Sequence, residues 1–168
     1  MSSQISERTA SNQELKCQVC GCGQLEEVLD LGYQPLCNTF SPMNEAPQPQ
    51  IFYPLCLCYC RRCSLVQLNY IIPTEEAFGE QYTYLTGSSK SLIDFYSQLA
   101  SRLADRFQLK PGDVVVEIGS NDGTFLKAFQ ALGLEVLGIE GAVKSADLAK
   151  KNGVPTLGQF FGKGSASI

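Results

Sequence analysis

Histidine is absent from this chain of 168 residues. That absence excludes any His-based catalytic dyad or triad within it and confines a protein metal site to sulfur or oxygen ligands. Long apolar runs are missing too: stretches such as Val114-Val115-Val116 fall far short of the roughly 20 residues a membrane helix needs. Residues 1–14 are polar, without an apolar segment or a cleavage-like site, so they read as a disordered leader and not a secretory signal. Charge of one sign is nowhere concentrated, with 13 Lys+Arg against 17 Asp+Glu and a net charge of −4. No basic footprint invites nucleic acid or an anionic membrane, and a cytoplasmic protein is expected. No internal repeat is visible.

Cysteine, by contrast, is abundant: there are 8, and 44% of the residues are apolar, enough for a core. All eight lie between Cys17 and Cys63, which divides the chain in two. Residues 15–73 carry short β-type runs (Glu27-Val28-Leu29, Tyr53-Pro54-Leu55, Leu65-Val66-Gln67-Leu68) and a Pro-rich loop over 41–49. This is too little regular structure to hold itself together. Residues 74–110 read as a linker and an amphipathic helix: Leu92, Tyr96, Leu99, Leu103 and Phe107 recur at helical spacing behind Ser88 or Ser89 as N-cap. From 111 to 168 the pattern alternates strand (113–118), helix (124–131), strand (135–139), helix (142–151) and a possible third strand within 154–161. That alternation opens a parallel α/β sheet. A doubly wound sheet normally uses five or more strands, so the sequence looks truncated, and the residues from Gly162 onward read as a frayed tail.

Cys17-Gln-Val-Cys20-Gly21 and Cys60-Arg-Arg-Cys63-Ser64 are two CxxC pairs with 39 residues between them. Two residues between thiolates let one tight turn present both sulfurs to one ion, and two such knuckles complete a tetrahedral site. Gly21 suits the positive φ of a knuckle, whereas Ser64 at the equivalent place is a poorer match. The spacing favours Zn2+ bound structurally, with an iron–sulfur cluster as the competing occupant and four unrelated core thiols as the plain alternative. Cys22, Cys37, Cys56 and Cys58 are read as small buried hydrophobes and not as ligands. Cys56, Cys58 and Cys60 would share one face of a strand.

The second constellation follows the strand that ends in Val116-Glu117-Ile118. There Gly119-Ser120-Asn121-Asp122-Gly123 leads into a helix, a turn expected to aim backbone N–H groups at a ligand. The pattern is E-x-G-x-N-x-G, not the dinucleotide G-x-G-x-x-G. A carboxylate at Glu117 suits a ligand with a cationic amino group, such as the methionine part of S-adenosylmethionine. Asn121 replaces the expected middle glycine and tolerates left-handed backbone. Glu140 ends the next strand about twenty residues past the first glycine, where an acid can accept both ribose hydroxyls. Taken alone, each acid reads equally well as an ordinary surface charge.

The order of motifs is more specific than any one of them. CxxCG, then Leu31-Gly32-Tyr33-Gln34-Pro35-Leu36-Cys37-Asn38, Tyr53-Pro54-Leu55, the second CxxC with Leu65-Val66-Gln67-Leu68, Tyr82-Thr83-Tyr84, the Glu117-to-Gly123 segment and Gly138-Ile139-Glu140 follow one another. Over about Cys17 to Phe161 this resembles the S-adenosylmethionine-dependent C-methyltransferases of nucleotide-activated deoxysugars. The resemblance implies an α+β zinc-binding domain followed by a truncated α/β Rossmann-like methyltransferase domain. It further implies zinc on Cys17, Cys20, Cys60 and Cys63, a donor pocket lined by Gly119, Asn121 and Glu140, with Glu117 and Gly123 in the same loop, and an active-site tyrosine that is either Tyr82 or Tyr84. The acceptor would be a nucleotide-linked sugar. Gly141 departs from the proline the family commonly has after the acid, and the C-terminal half of such an enzyme is not in this sequence. Proton abstraction next to a keto group usually employs His, which is absent, so the fragment is expected not to turn over unaided. A catalytically inactive zinc- and nucleoside-binding module is the alternative, a zinc-ribbon interaction protein ranks last, and an incomplete sheet would self-associate through its edge.

Overall fold

The computed structural model describes residues 15–38, 40, 43, 44, 51–79 and 82–162. The leader over 1–14, most of the Pro-rich loop and the tail past Gly162 lie outside the described residues. The chain divides into two compact units, residues 1–77 and 78–168.

The first unit is an antiparallel sheet of β1 (Leu25–Pro35), β2 (Phe52–Cys60) and β3 (Val66–Leu68) in that spatial order, followed by one turn of helix, α1 (Thr74–Ala77). β2 alternates strictly at its end: Cys56, Cys58 and Cys60 are buried while Leu57 and Tyr59 are only half-buried. Pro54 is tolerated because β3 pairs only with Leu57, Cys58 and Tyr59, so the missing N–H costs no bond on that side. β1 is far longer than the Glu27-Val28-Leu29 run read from sequence. Its register with β2 shifts between Asp30 and Tyr33, where Gly32 adopts φ +69° and donates its N–H to Asp30 Oδ1 at 2.8 Å. Among the described residues the buried set of this unit contains no aliphatic side chain: Cys17, Tyr53, Cys56, Cys58, Cys60 and Gln67.

The second unit is built on a parallel sheet, β4 (Val114–Ile118), β5 (Glu135–Ile139) and the two-residue β6 (Thr156–Leu157), in the order β4-β5-β6. α2 (Lys90–Phe107) precedes the sheet, α3 (Thr124–Gln130) joins β4 to β5, and α4 (Val143–Lys151) joins β5 to β6. Both crossovers travel in the same direction, and right-handed connections then place both helices on one face. There Leu126 and Phe129 of α3, Ala149 of α4 and Ala100 of α2 close over Val136, with Leu134 and Val154. Fully burying a side chain such as Leu126 stabilises the unit by about 1.5–3 kcal/mol. The stripe read from sequence places Leu92, Tyr96, Leu99 and Leu103 of α2 half-buried, while Phe107, at the last turn, is exposed. Tyr96 stacks on Phe125 with ring centroids 4.6 Å apart. α2 stops at Gln108, which takes the left-handed conformation (φ +52°) that glycine usually supplies.

On the opposite face Val114, Val116 and Ile118 are 57%, 53% and 57% exposed. A parallel sheet normally has both faces covered, so this is the bare side of the unit among the described residues. No described helix is long and apolar enough to cross a membrane.

Candidate metal centre and glycine loop

The two CxxC turns have nearly the same hydrogen-bond scheme. Cys17 N–H donates to Cys22 O at 2.9 Å and Gly21 N–H to Cys17 O at 2.9 Å; in the second knuckle Cys60 N–H donates to Leu65 O at 2.8 Å and Ser64 N–H to Cys60 O at 2.9 Å. Gly21 has φ +69° and Ser64 has φ +64°. Ser64 therefore adopts the glycine-type conformation despite its Cβ, with its hydroxyl 2.9 Å from the Tyr59 hydroxyl. Gln67, buried in β3, accepts the Gln18 N–H at 2.9 Å and donates to Lys16 O at 3.3 Å, tying the sheet to the first knuckle.

These turns bring the sulfurs of Cys17, Cys20, Cys60 and Cys63 within 4.8 Å of one another. Cys17 Sγ lies 3.5 Å from Cys63 Sγ and Cys20 Sγ 3.6 Å from Cys60 Sγ. Four thiolates on one zinc ion, each at about 2.3 Å, stand about 3.8 Å apart, so the cluster already has the dimensions of the ion's coordination shell. The Cys20 N–H holds the Cys17 thiol down to about 6, against burial. At Cys63 the Leu65 N–H opposes a rise that the Cys17 sulfur, burial and the remaining two sulfurs drive to about 12. Four neighbouring thiols cannot all ionise without a cation between them, and a divalent ion removes that conflict. Of the four cysteines read as buried hydrophobes, Cys56 and Cys58 are buried outside this cluster, and burial pushes the Cys56 thiol up to about 11, whereas Cys22 is only half-buried and Cys37 is exposed.

In the second unit the 119–123 loop is left-handed at three places, Gly119 (φ +75°), Asn121 (φ +50°) and Gly123 (φ +78°). A Cβ on Gly123 would stand 2.9 Å from Val154, whereas one on Gly119 would meet open space. Most of the loop's amides do not point at a ligand as expected. Gly119 and Ser120 N–H both donate to Ile139 O at 2.8 and 3.3 Å, Gly123 N–H to Ser120 O at 3.0 Å, and Asn121 N–H to Glu140 Oε2 at 2.7 Å. The reason is the proximity of β5, whose end supplies acceptors nearer than any solvent-side group.

What the site offers instead is carboxylate. Glu140 is buried and its Oε1 accepts the Ala142 N–H at 2.7 Å; each of its oxygens takes one backbone N–H and keeps a second lone pair. Glu117 Oε2 and Ser120 Oγ are buried with no hydrogen-bond partner among the described residues. Burial, followed by the charges of Glu140 and Asp122, raises the Glu117 carboxyl to about 7. A half-buried acid with one buried, unpartnered oxygen, flanked by two more carboxylates, is a place for a cationic group.

Comparison with known proteins places these sites in a context. Residues 17–78 match the Methyltransf_13 zinc-binding domain. Over 146 residues the chain is 32% identical to the C-methyltransferase NovU of Streptomyces niveus, covering 87% of this chain and 34% of that protein. The chain is thus similar to a C-methyltransferase over most of its own length. It spans about a third of its relative's length.

All four thiols assigned from the spacing meet in one cluster, and the matched domain supports zinc there. Glu117, Gly119, Asn121, Gly123 and Glu140 lie on one loop and the two strand ends that flank it. Tyr82 packs edge-on against Phe78 at 5.2 Å, and Tyr84 is exposed. Gly141 is covered by Phe160: a Cβ there would lie 2.1 Å from the ring. Gly138 is equally constrained, since its Cβ would reach within 2.4 Å of Ser120 Oγ. Sequence reading missed Asp122 and Gly87. Asp122 Oδ2 accepts the Gly87 N–H at 2.7 Å, and nothing local in the sequence announces a contact between residues 35 apart.

Proposed function

We propose that this chain is the zinc- and donor-binding part of an S-adenosylmethionine-dependent C-methyltransferase whose acceptor is a nucleotide-linked keto-deoxysugar. The observation that carries the donor assignment is the unpartnered buried oxygen of Glu117 beside Glu140, below the open space at Gly119. Glu117 would receive the donor's cationic amino group. The free lone pairs of Glu140 would accept ribose hydroxyls, and Asn121 and Gly123 hold the loop that presents both acids. S-adenosylmethionine supplies an electrophilic methyl group when bound. Three parallel strands with their crossover helices on one face support a Rossmann-like sheet. The zinc is structural, because four thiolates leave no open position for chemistry.

The sugar nucleotide would lie toward the Tyr82-Thr83-Tyr84 segment, with one tyrosine in contact. No His is available as base, and proton abstraction needs a group poised near neutrality. The 168-residue chain by itself is therefore proposed not to turn over, and a module that binds zinc and nucleoside without catalysis is the second reading that this same absence favours. A four-thiol metal cluster and dispersed charge suit the cytoplasm and no nucleic-acid partner. The exposed Val114, Val116 and Ile118 of β4, an outer strand of the described sheet, support self-association along that strand.

Calorimetric titration with S-adenosylhomocysteine tests the donor site. Binding is expected, weakened by about 1–3 kcal/mol in Glu140→Ala. No binding to the wild-type chain would remove the donor assignment. Methyl transfer to a keto-deoxysugar nucleotide by this chain alone, above a Glu117→Ala/Glu140→Ala control, would exclude the inactive module.

A further inference from the structure

Asn121 occupies a junction. Its backbone N–H donates to Glu140 Oε2 at 2.7 Å, its side-chain Oδ1 accepts the Thr86 N–H at 3.0 Å, and its Nδ2 donates to Tyr84 O at 3.0 Å. One acceptor and one donor on the amide meet one backbone donor and one backbone acceptor, which fixes the orientation of the group. Asp122 adds a parallel tie, with Oδ2 on the Gly87 N–H at 2.7 Å and Oδ1 on the Thr124 hydroxyl at 2.6 Å. At Gly87 the two segments approach so closely that a Cβ would stand 2.7 Å from Thr124 Oγ1 and 2.9 Å from Asp122 Oδ2. The short helical turn Thr86–Ser88, which follows the tyrosines, is thereby laced to the glycine loop by side chains that α/β turns do not need for their own geometry. A glycine at 121 would serve the left-handed backbone at least as well, so the amide side chain answers to something other than the loop.

We propose that Asn121, seconded by Asp122, is a positioning residue that couples the carboxylate at Glu140 to the tyrosine-bearing segment, holding Tyr84 in register with the donor loop. This rests on the donor reading given above. Ligand engagement of Glu140 pulls on the carboxylate that accepts the Asn121 N–H, and the same residue grips the chain on both sides of Leu85. Tyr84 O is held by the Asn121 amide, while Tyr82 N–H donates to Gly79 O at 3.0 Å and its ring packs on Phe78.

Amide hydrogen exchange on the whole chain, resolved by residue, tests the idea with and without saturating S-adenosylhomocysteine. In the unliganded protein Asn121→Gly keeps the backbone conformation and deletes both side-chain bonds, so exchange at Thr86 should accelerate about 3- to 10-fold. Asn121→Asp restores the acceptor for the Thr86 N–H and should recover its protection. In the wild type the ligand should slow exchange at Thr86 and Gly87. Gly87→Ala, which lies outside the donor loop, should abolish that slowing, and it reads the same contact should Asn121→Gly fail to fold. Unchanged Thr86 exchange in Asn121→Gly, or in Gly87→Ala where the former does not fold, overturns the coupling, as does equal ligand-induced slowing in wild type and Gly87→Ala. A wild-type chain that binds no S-adenosylhomocysteine would sink the donor reading instead, and the unliganded Thr86 measurement would still decide whether the tie exists.

Discussion

The two units solve the same problem, holding a functional turn in a left-handed conformation, with different materials. In the first, Gly21 and Ser64 turn the chain behind two pairs of sulfurs, and the buried residues around them are mostly cysteines. In the second, Gly119, Asn121 and Gly123 turn the chain behind two carboxylates, over an apolar core of Leu126, Phe129, Val136 and Val154. A small unit with no aliphatic burial among its described residues has little to set against its chain entropy, so binding free energy of an ion must supply what packing does not. The parallel unit has packing to spare for an unpaired acid at its site. Its Glu117 is left unsatisfied where the sulfur site leaves nothing unsatisfied once an ion is bound.

The largest effect should therefore come from the metal. Zinc is expected at one ion per chain in protein purified without chelator, and its removal should unfold the first unit while the parallel sheet keeps its exchange protection. Cys20→Ser should act like chelation, since a lost ligand is lost folding energy. Cys58→Ser, outside the cluster, should cost only about 1–3 kcal/mol for a buried hydroxyl without a good partner. Metal analysis together with circular dichroism checks this; equal damage from the two serines would mean that the ligand set is wrong, and an iron–sulfur absorption band would replace zinc.

A smaller effect should follow at Gly141, where the chain turns from β5 into α4 under the Phe160 ring. Gly141→Ala should destabilise the second unit by about 1–3 kcal/mol, because the ring must shift from a contact that leaves no room for a methyl group. Removing the ring removes the clash, so Gly141→Ala should cost much less in a Phe160→Ala background than in the wild type, measured by urea unfolding. Additive losses would show that Gly141 is needed for its backbone and not for the ring above it.

The same comparison explains what could be read in advance. Elements of the parallel unit were legible because their signals are local: the strand read at 135–139 matches β5, and the helices read at 124–131 and 142–151 differ from α3 and α4 only at their ends. β1 was read as three residues because its side chains are nearly all exposed, so hydrophobic alternation does not mark its length and pairing with β2 does. The four ligand cysteines were legible from spacing, since a knuckle is itself local geometry. The lacing of Thr86 and Gly87 to Asn121 and Asp122 was not, because it joins residues 35 apart through side chains. The amides of the glycine loop were misjudged for a related reason: Ile139 O, an acceptor from the neighbouring strand, takes two of them.

The smallest effect, and the one that most directly separates an ion-organised site from a packing-organised one, concerns Glu117. Its carboxyl titrates near 4.5 in the unfolded chain and at about 7 in the folded one, because burial disfavours the charge and Glu140 and Asp122 add to that. Below 4.5 the group is protonated in both states and exacts no penalty. Between 4.5 and 7 the folded state holds a proton that the unfolded state has released, so stability falls as pH rises and levels off above about 7. Glu117→Gln removes the titration. It should match the wild type near pH 5 and exceed it by about 1–2 kcal/mol at pH 8, a figure reduced from the full linkage value because the group is partly open to solvent. Urea unfolding of the parallel unit across that range measures the difference. A cationic ligand reverses the balance by favouring the ionised acid, so S-adenosylhomocysteine should bind more tightly to the wild type as pH rises from 5.5 to about 8 while its affinity for Glu117→Gln stays weak and flat. A Glu117→Gln variant no more stable than the wild type at pH 8 would mean that the acid is satisfied in solution, and the case for a cation at this position would go with it.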